Sequence, residues 1–269
     1  MWREYSFFKY NCLSCMLSAK TAKVDRIRIR LYIRAMNNTS FDNVSLQQAN
    51  EKITQRFITA VYGWMVAALA ISGAAAFAVF NSQTLFSLIF GSRFTFFGLI
   101  IAEIALVFML TAGIRKMSFT AAAVAFIAYS LVNGLTLSSI LFLYTGTSVV
   151  RIFIITALMF GAMSIYGATT GSNLQSAGKY LMMGLIGIVI ASFINIFLRS
   201  SSFDWLISFV TVGVFTGLTA YDSQKITQAA KYAQDNETYK KIAVIGALEL
   251  YLDFVNIFLA LLRLFGKRR

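Results

Sequence analysis

The sequence predicts an all-α membrane protein of seven transmembrane helices, and three observations carry that prediction. Charged residues make up only 13% of the chain and apolar residues 58%, whereas a soluble domain is roughly one quarter charged. Mean hydropathy is +0.70. Uncharged runs extend over 57–92, 117–150, 152–178 and 180–198, each long enough to cross a bilayer, for which about 18 residues suffice as a helix. Backbone groups in lipid must bond to one another, and these runs lack the alternation of a barrel strand, so helices are the expected form.

The chain opens on a segment unlike the rest. Residues 1–35 hold eight basic residues against two acids, with Arg26, Arg28, Arg30 and Arg34 interleaved among Ile27, Ile29 and Ile33. That pattern suits an arm on an anionic membrane surface. Met36 stands as an alternative start, which would leave the arm out. No long apolar core precedes a small-residue cleavage site, so a signal peptide is not expected. Both cysteines lie here, as Cys12-Leu13-Ser14-Cys15. Without a second such motif or any histidine, four metal ligands are not available, and no cofactor is expected. A polar approach follows over 37–55. Residues 1–55 thus form a partly disordered N-terminal region ahead of a membrane domain over 56–269.

Seven spans are expected near 58–80, 95–114, 119–144, 152–169, 180–198, 205–224 and 243–263. The chain contains no proline, so any helix break must rely on glycine or a polar insertion. Gly213 and Gly217, and Gly184 and Gly187, are candidates for close helix contact. Orientation follows from loop Lys and Arg. The basic N-terminal side, Arg115 and Lys116, Lys179, and the group Lys225, Lys231, Lys240 and Lys241 fall on one side; Arg93, Arg151 and Arg199 fall on the other. A cytoplasmic N-terminus is expected. Seven complete spans then carry Lys267, Arg268 and Arg269 outside, against the rule, unless the last helix re-enters; charge leaves both open. The net charge of +13 sits at chain ends and in loops, where lipid explains it, and no nucleic-acid binding is expected.

Charges within spans are costly and mark function. There are four: Glu103 in the second span, Asp222 near the end of the sixth, and Glu249 and Asp253 in the seventh. Arg115 and Lys225 sit at span ends and could reach inward. Glu249, Asp253 and Asn256 share one helical face, a polar stripe on an apolar helix that should face protein or water. If Asp222 and Asp253 meet, two carboxylates in a low dielectric resist double ionisation. Such a pair responds to pH without histidine, and its ionised oxygens suit Ca²⁺, bound transiently.

Two stretches carry a family resemblance: Phe215-Thr216-Gly217-Leu218-Thr219-Ala220-Tyr221-Asp222-Ser223-Gln224-Lys225-Ile226 and Ala247-Leu248-Glu249-Leu250-Tyr251-Leu252-Asp253-Phe254-Val255-Asn256-Ile257-Phe258-Leu259. Gly178-Lys179-Tyr180, Asn195-Ile196-Phe197 and Lys116-Met117-Ser118 support them. In these the chain resembles the Bax inhibitor-1 family, also called the transmembrane Bax inhibitor motif family, and its bacterial members. The resemblance implies a multi-pass protein of the bacterial inner membrane, with the last of seven helices central between two three-helix layers. It also implies a pH-sensitive Ca²⁺ leak controlled by an aspartate pair matching Asp222 and Asp253, with Glu103 matching a family acid. Two positions depart from the family pattern. The family arginine that latches the first aspartate falls on Gly113, with Arg115 two residues on. The loop after the fourth span reads Thr169-Thr170-Gly171-Ser172-Asn173-Leu174, without the family's basic residue and aspartate.

The resulting expectation is a Ca²⁺ leak channel rather than an enzyme, with lipid and Ca²⁺ as partners. The alternative is a regulator that binds another membrane protein, such as a membrane-anchored protease, and transports nothing. Intramembrane aspartyl proteolysis is disfavoured because Leu250-Tyr251-Leu252, rather than glycines, precedes Asp253.

Overall fold

The computed structural model describes residues 43–114, 116–231 and 237–269, with side chains from residue 52 onward. Among them are eight helices: α1 (Asn43–Asn81), α2 (Gln83–Phe90), α3 (Arg93–Gly113), α4 (Phe119–Leu143), α5 (Gly146–Thr169), α6 (Gln175–Leu198), α7 (Ser201–Ala230) and α8 (Glu237–Phe265). All but the short α2 are long and apolar enough to cross a membrane. The basic arm, Cys12, Cys15 and Arg115 lie outside the described residues.

Helices α1, α5, α6, α7 and α8 run longer than the expected spans, because polar and charged residues join their end turns. Ser118 Oγ accepts from Ala121 N at 3.2 Å and Ser200 Oγ from Phe203 N at 3.3 Å, satisfying free amides at the starts of α4 and α7. Lys225, Lys240 and Lys241, expected in the loop after the sixth span, lie within α7 and α8. Lysine stems pack along a helix while the ammonium reaches a polar end, so charge does not stop a helix. The segment between the first two spans, expected as a loop, contains α2. Its start is capped by Ser82 Oγ, and the Phe86 ring packs at a tilt against Phe90 and Phe142. Without proline, α7 and α8 continue unbroken.

Helices α1, α3 and α4 pack as one layer, and α5, α6 and α7 as a second. Helix α8 lies between them, against α1, α4, α5 and α7. Over its most apolar window 89% of α8 is buried, against at most 50% for any other span. The outer helices turn Phe94, Tyr180 and Phe197 outward, as lipid-facing surfaces do. The described residues form an all-α membrane protein with its C-terminal helix central. That helix does not re-enter. The tail reaches the far end of the bundle, where Lys267 O accepts from Thr145 N at 3.0 Å and Arg269 N donates to Leu143 O at 3.1 Å. Arg269 lies over the Phe80 ring, and Arg263 faces Asp204 at the start of α7. The basic tail thus shares the end that carries Arg93 and Arg199.

Lipid tails are as apolar as leucine, so helix association within a bilayer depends on close packing. Two glycines permit it. A Cβ on Gly167 would overlap the Ala220 backbone of α7, and one on Gly134 would lie 2.5 Å from Ser72 O of α1. Of the glycines singled out from spacing, Gly217 and Gly184 meet Leu181 and Val214 side chains, whereas Gly213 and Gly187 have no atom within 4 Å. Gly167→Val is therefore expected to cost about 1–3 kcal/mol by forcing α5 from α7. Thermal unfolding in detergent should register that loss, with Gly213→Ala unchanged; equal melting temperatures for the two variants would contradict the close crossing.

Candidate functional site

The polar stripe of α8 meets α7. Asp253 is 3% exposed, and its carboxyl shares a hydrogen bond with that of Asp222. Asp222 lies eight residues before the end of α7 at Ala230, about 12 Å along the helix, because α7 continues past Lys225. A hydrogen bond between two carboxyl groups requires a proton on one of them. The Asp222–Asp253 contact is therefore one that can share a proton inside the bundle.

One turn away lies a second charged contact. Lys225 Nζ donates to Glu249 Oε1 at 3.0 Å and Oε2 at 3.2 Å. Lys225 follows Asp222 by three residues and Glu249 precedes Asp253 by four, so each helix presents two charged groups on one face. The two contacts form one cluster of three carboxyl groups and one ammonium. The family's latching arginine has no counterpart at Gly113, which packs near Met117; the described cation beside the acids is Lys225. Among the described residues no three acidic, histidine or cysteine side chains are arranged to hold a metal ion.

The remaining candidates fall elsewhere. Asn256 shares the stripe, but its amide donates to the Leu252 carbonyl of its own helix at 2.8 Å. Glu103 is fully buried on α3 and accepts from Thr136 Oγ1 at 2.8 Å. It belongs to a different network, on the far side of α8. There Tyr251 Oη binds Ser72 Oγ of α1 at 2.7 Å and accepts from Asn133 Nδ2 of α4 at 2.6 Å. Thr136 Oγ1 also contacts Asn133 O at 2.8 Å, which ties Glu103 to that chain. Sequence reading missed this network. Its signal was the presence of Ser72, Asn133 and Thr136 inside apolar spans, but spacing alone does not say which helices they join.

Near Asp222 two further groups hold α7 in place. Ser223 Oγ lies 2.7 Å from Ser164 Oγ, which lies 2.6 Å from Tyr62 Oη, linking α7, α5 and α1. Gln224 donates to Ser172 O at 2.7 Å and accepts from Leu174 N at 2.9 Å, pinning the turn before α6. An apolar groove of about 330 Å³ between α5, α6 and α7 ends at Tyr221; it contains no acid.

Residues 54–269 match the profile of the family described as inhibitor of apoptosis-promoting Bax1. The chain belongs to this family, the Bax inhibitor-1 family. It is similar to the inner membrane protein YbhL of Escherichia coli K12, at 45% identity over 80% of this chain and 93% of that protein. An uncharacterised protein of Borreliella burgdorferi is 43% identical over 84% of this chain and 99% of its own length. One from Rickettsia prowazekii is 39% identical over 80% and 91%. For this Bax inhibitor-1 member, the match covers every span together with the Asp222 and Asp253 stretches and stops short of the basic arm.

The buried phenol network makes a separable prediction. Tyr251→Phe keeps the ring but leaves Ser72 and Asn133 without their shared partner, which should cost about 1–3 kcal/mol. Thermal unfolding should show the loss, and an unchanged melting temperature would contradict the tie between α8 and the first layer.

Proposed function

We propose that the protein is a passive Ca²⁺ leak whose opening follows the protonation of the Asp222–Asp253 pair. The observation that supports this reading is the carboxyl–carboxyl hydrogen bond between α7 and α8 in the interior of the bundle. With its proton, the bond ties the central helix to the second layer. Without it, two like charges face each other in a low dielectric and repel. Glu249 adds a third negative group to that face, and Lys225 is the counter-charge. Separation of the carboxylates presents hard oxygen ligands, which suit Ca²⁺. Two carboxylates hold such an ion loosely, as passage rather than storage requires. In this reading the protein lies in the inner membrane with the ends of α7 and the starts of α8 and α4 toward the cytoplasm, and the basic tail on the opposite side.

Asp222→Asn and Asp253→Asn keep the shape and a hydrogen bond but remove one ionising group. Each is expected to lower Ca²⁺ flux into liposomes by about tenfold at alkaline pH, the equivalent of ~1.4 kcal/mol of ion ligation, and to shift the pH midpoint. Flux and midpoint unchanged in both variants would overturn the proposal.

A further inference from the structure

The groove between α5, α6 and α7 lies outside the acid cluster, and the leak reading makes no use of it. Helices α5 and α6 both pack on α7. Where they part, small residues form the floor: Gly217 and Ala220 of α7, with Ala177 of α6 beside them. A Cβ on Gly217 would lie 2.7 Å from the Leu181 side chain, so the floor stays low because that position is glycine. One wall is the Tyr221 ring, which comes close to α6 because Gly178 has no side chain; a Cβ there would lie 2.5 Å from the ring. The groove begins at Leu174, in the turn that Gln224 pins, and reaches Met163 and Leu181. Met163 lies six residues before the end of α5 at Thr169, and Leu181 six after the start of α6 at Gln175. The groove therefore runs about 9 Å into the bundle. Its rim carries Tyr166 and Tyr180, 50% and 75% exposed.

We infer that this groove is a phospholipid site: it holds one acyl chain of a glycerophospholipid from the leaflet that meets the turn between α5 and α6, with the Tyr166 and Tyr180 hydroxyls donating to its ester or phosphate oxygens. The position of the groove decides the occupant. All three helices are spans, and span surface that protein leaves bare is covered by lipid. Ordered water needs about two to four polar partners, and the lining is almost wholly apolar. The volume of about 330 Å³ is at the lower end for ligand sites, about 300–1,000 Å³, and suits a single alkyl chain. Tyrosine sets its ring among apolar groups and its hydroxyl at headgroup level, and a phenol can donate to ester or phosphate oxygen. Tyr166 and Tyr180 lie within about 8 Å of their helix ends, where those oxygens are met. The lining contains no acid or base, so recognition is of the chain and its glycerol ester, not of headgroup charge. Three helices enclose a chain in the groove, whereas an outward residue such as Phe197 meets lipid on one convex face. The inference does not depend on the leak reading.

The test reconstitutes the full-length protein in vesicles of phosphatidylethanolamine and phosphatidylglycerol. A trace of phosphatidylethanolamine carries a photoreactive diazirine on one acyl chain, and mass spectrometry locates the labelled residues. Label should concentrate on Met163, Leu181 and Tyr221, about tenfold above Phe197. Ala177→Trp fills the groove from an exposed position. It should bring the groove label down to the level of Phe197, with the Phe197 label and the melting temperature unchanged. Tyr166→Phe combined with Tyr180→Phe keeps both rings and should lower the groove label by a smaller factor; no change would overturn the role given to the hydroxyls. Even labelling of the groove and Phe197 would mean ordinary boundary lipid and overturns the inference. So does groove label that survives Ala177→Trp, or groove residues that crosslink in native membranes to another protein instead of to lipid. If Ala177→Trp fails to fold, the distribution of label over the wild-type protein decides.

Discussion

The burial of α8 on all sides is the constraint from which the rest follows. A helix in lipid satisfies its own backbone but not its side chains. Apart from Asn256, which bonds back to its own helix, the polar groups along the middle of α8 find partners on the helices around it. Glu249 takes Lys225, Asp253 takes Asp222, and Tyr251 takes Ser72 and Asn133. Rotating α8 by one residue, about 100°, would turn these groups against apolar neighbours such as Phe126 and Phe160. The polar contacts therefore set the rotation of the central helix, and the central helix sets the spacing of the two layers.

The alternation along α8 divides the bundle chemically. Glu249 and Asp253 face the second layer, while Tyr251, about 200° away from either, faces the first. The first-layer side is anchored by uncharged side chains directly on α8. The Tyr251 phenol is shared between α1 and α4, and its ring stands edge-on to Phe126 and Tyr129. The second-layer side is charged, and it holds together by a proton and an ion pair. One face of α8 thus meets hydroxyl and amide partners, with the Glu103 carboxyl beyond them, and the other meets charged side chains directly. A change in charge acts first between α7 and α8, with α1, α4 and α8 as the frame it works against.

The two ends of the bundle are closed by different devices. At one end Lys241 Nζ donates to Met117 O at 3.0 Å and Glu237 accepts from Phe119 N at 2.9 Å, fastening the start of α8 to α4. At the other, the tail lies along the turn between α4 and α5, and Arg199 ends α6 in a left-handed conformation with Asn195 accepting from Ser200 N. These are backbone and capping contacts. Between α7 and α8, Arg263 faces Asp204 near this end, and Lys225 pairs with Glu249 nearer the other.

Composition and charge-free length were enough to read seven helices, since lipid leaves an apolar run of that length few other forms. The two long motifs were enough to single out Asp222 and Asp253 and to place Glu249 and Asn256 beside them on one face. The sequence alone left open where the last helix goes, because loop charges weigh against a full crossing, and the tail contacts at Leu143 and Thr145 decided it. It also left open which cation serves the acids. Arg115 and Lys225 both sit at span ends; Arg115 lies outside the described residues, and the crossing of α7 and α8 brings the Lys225 ammonium to Glu249. The separation of Glu103 from the aspartates was likewise a tertiary matter, because helical periodicity orders the groups on one helix but says nothing of which neighbour each face meets.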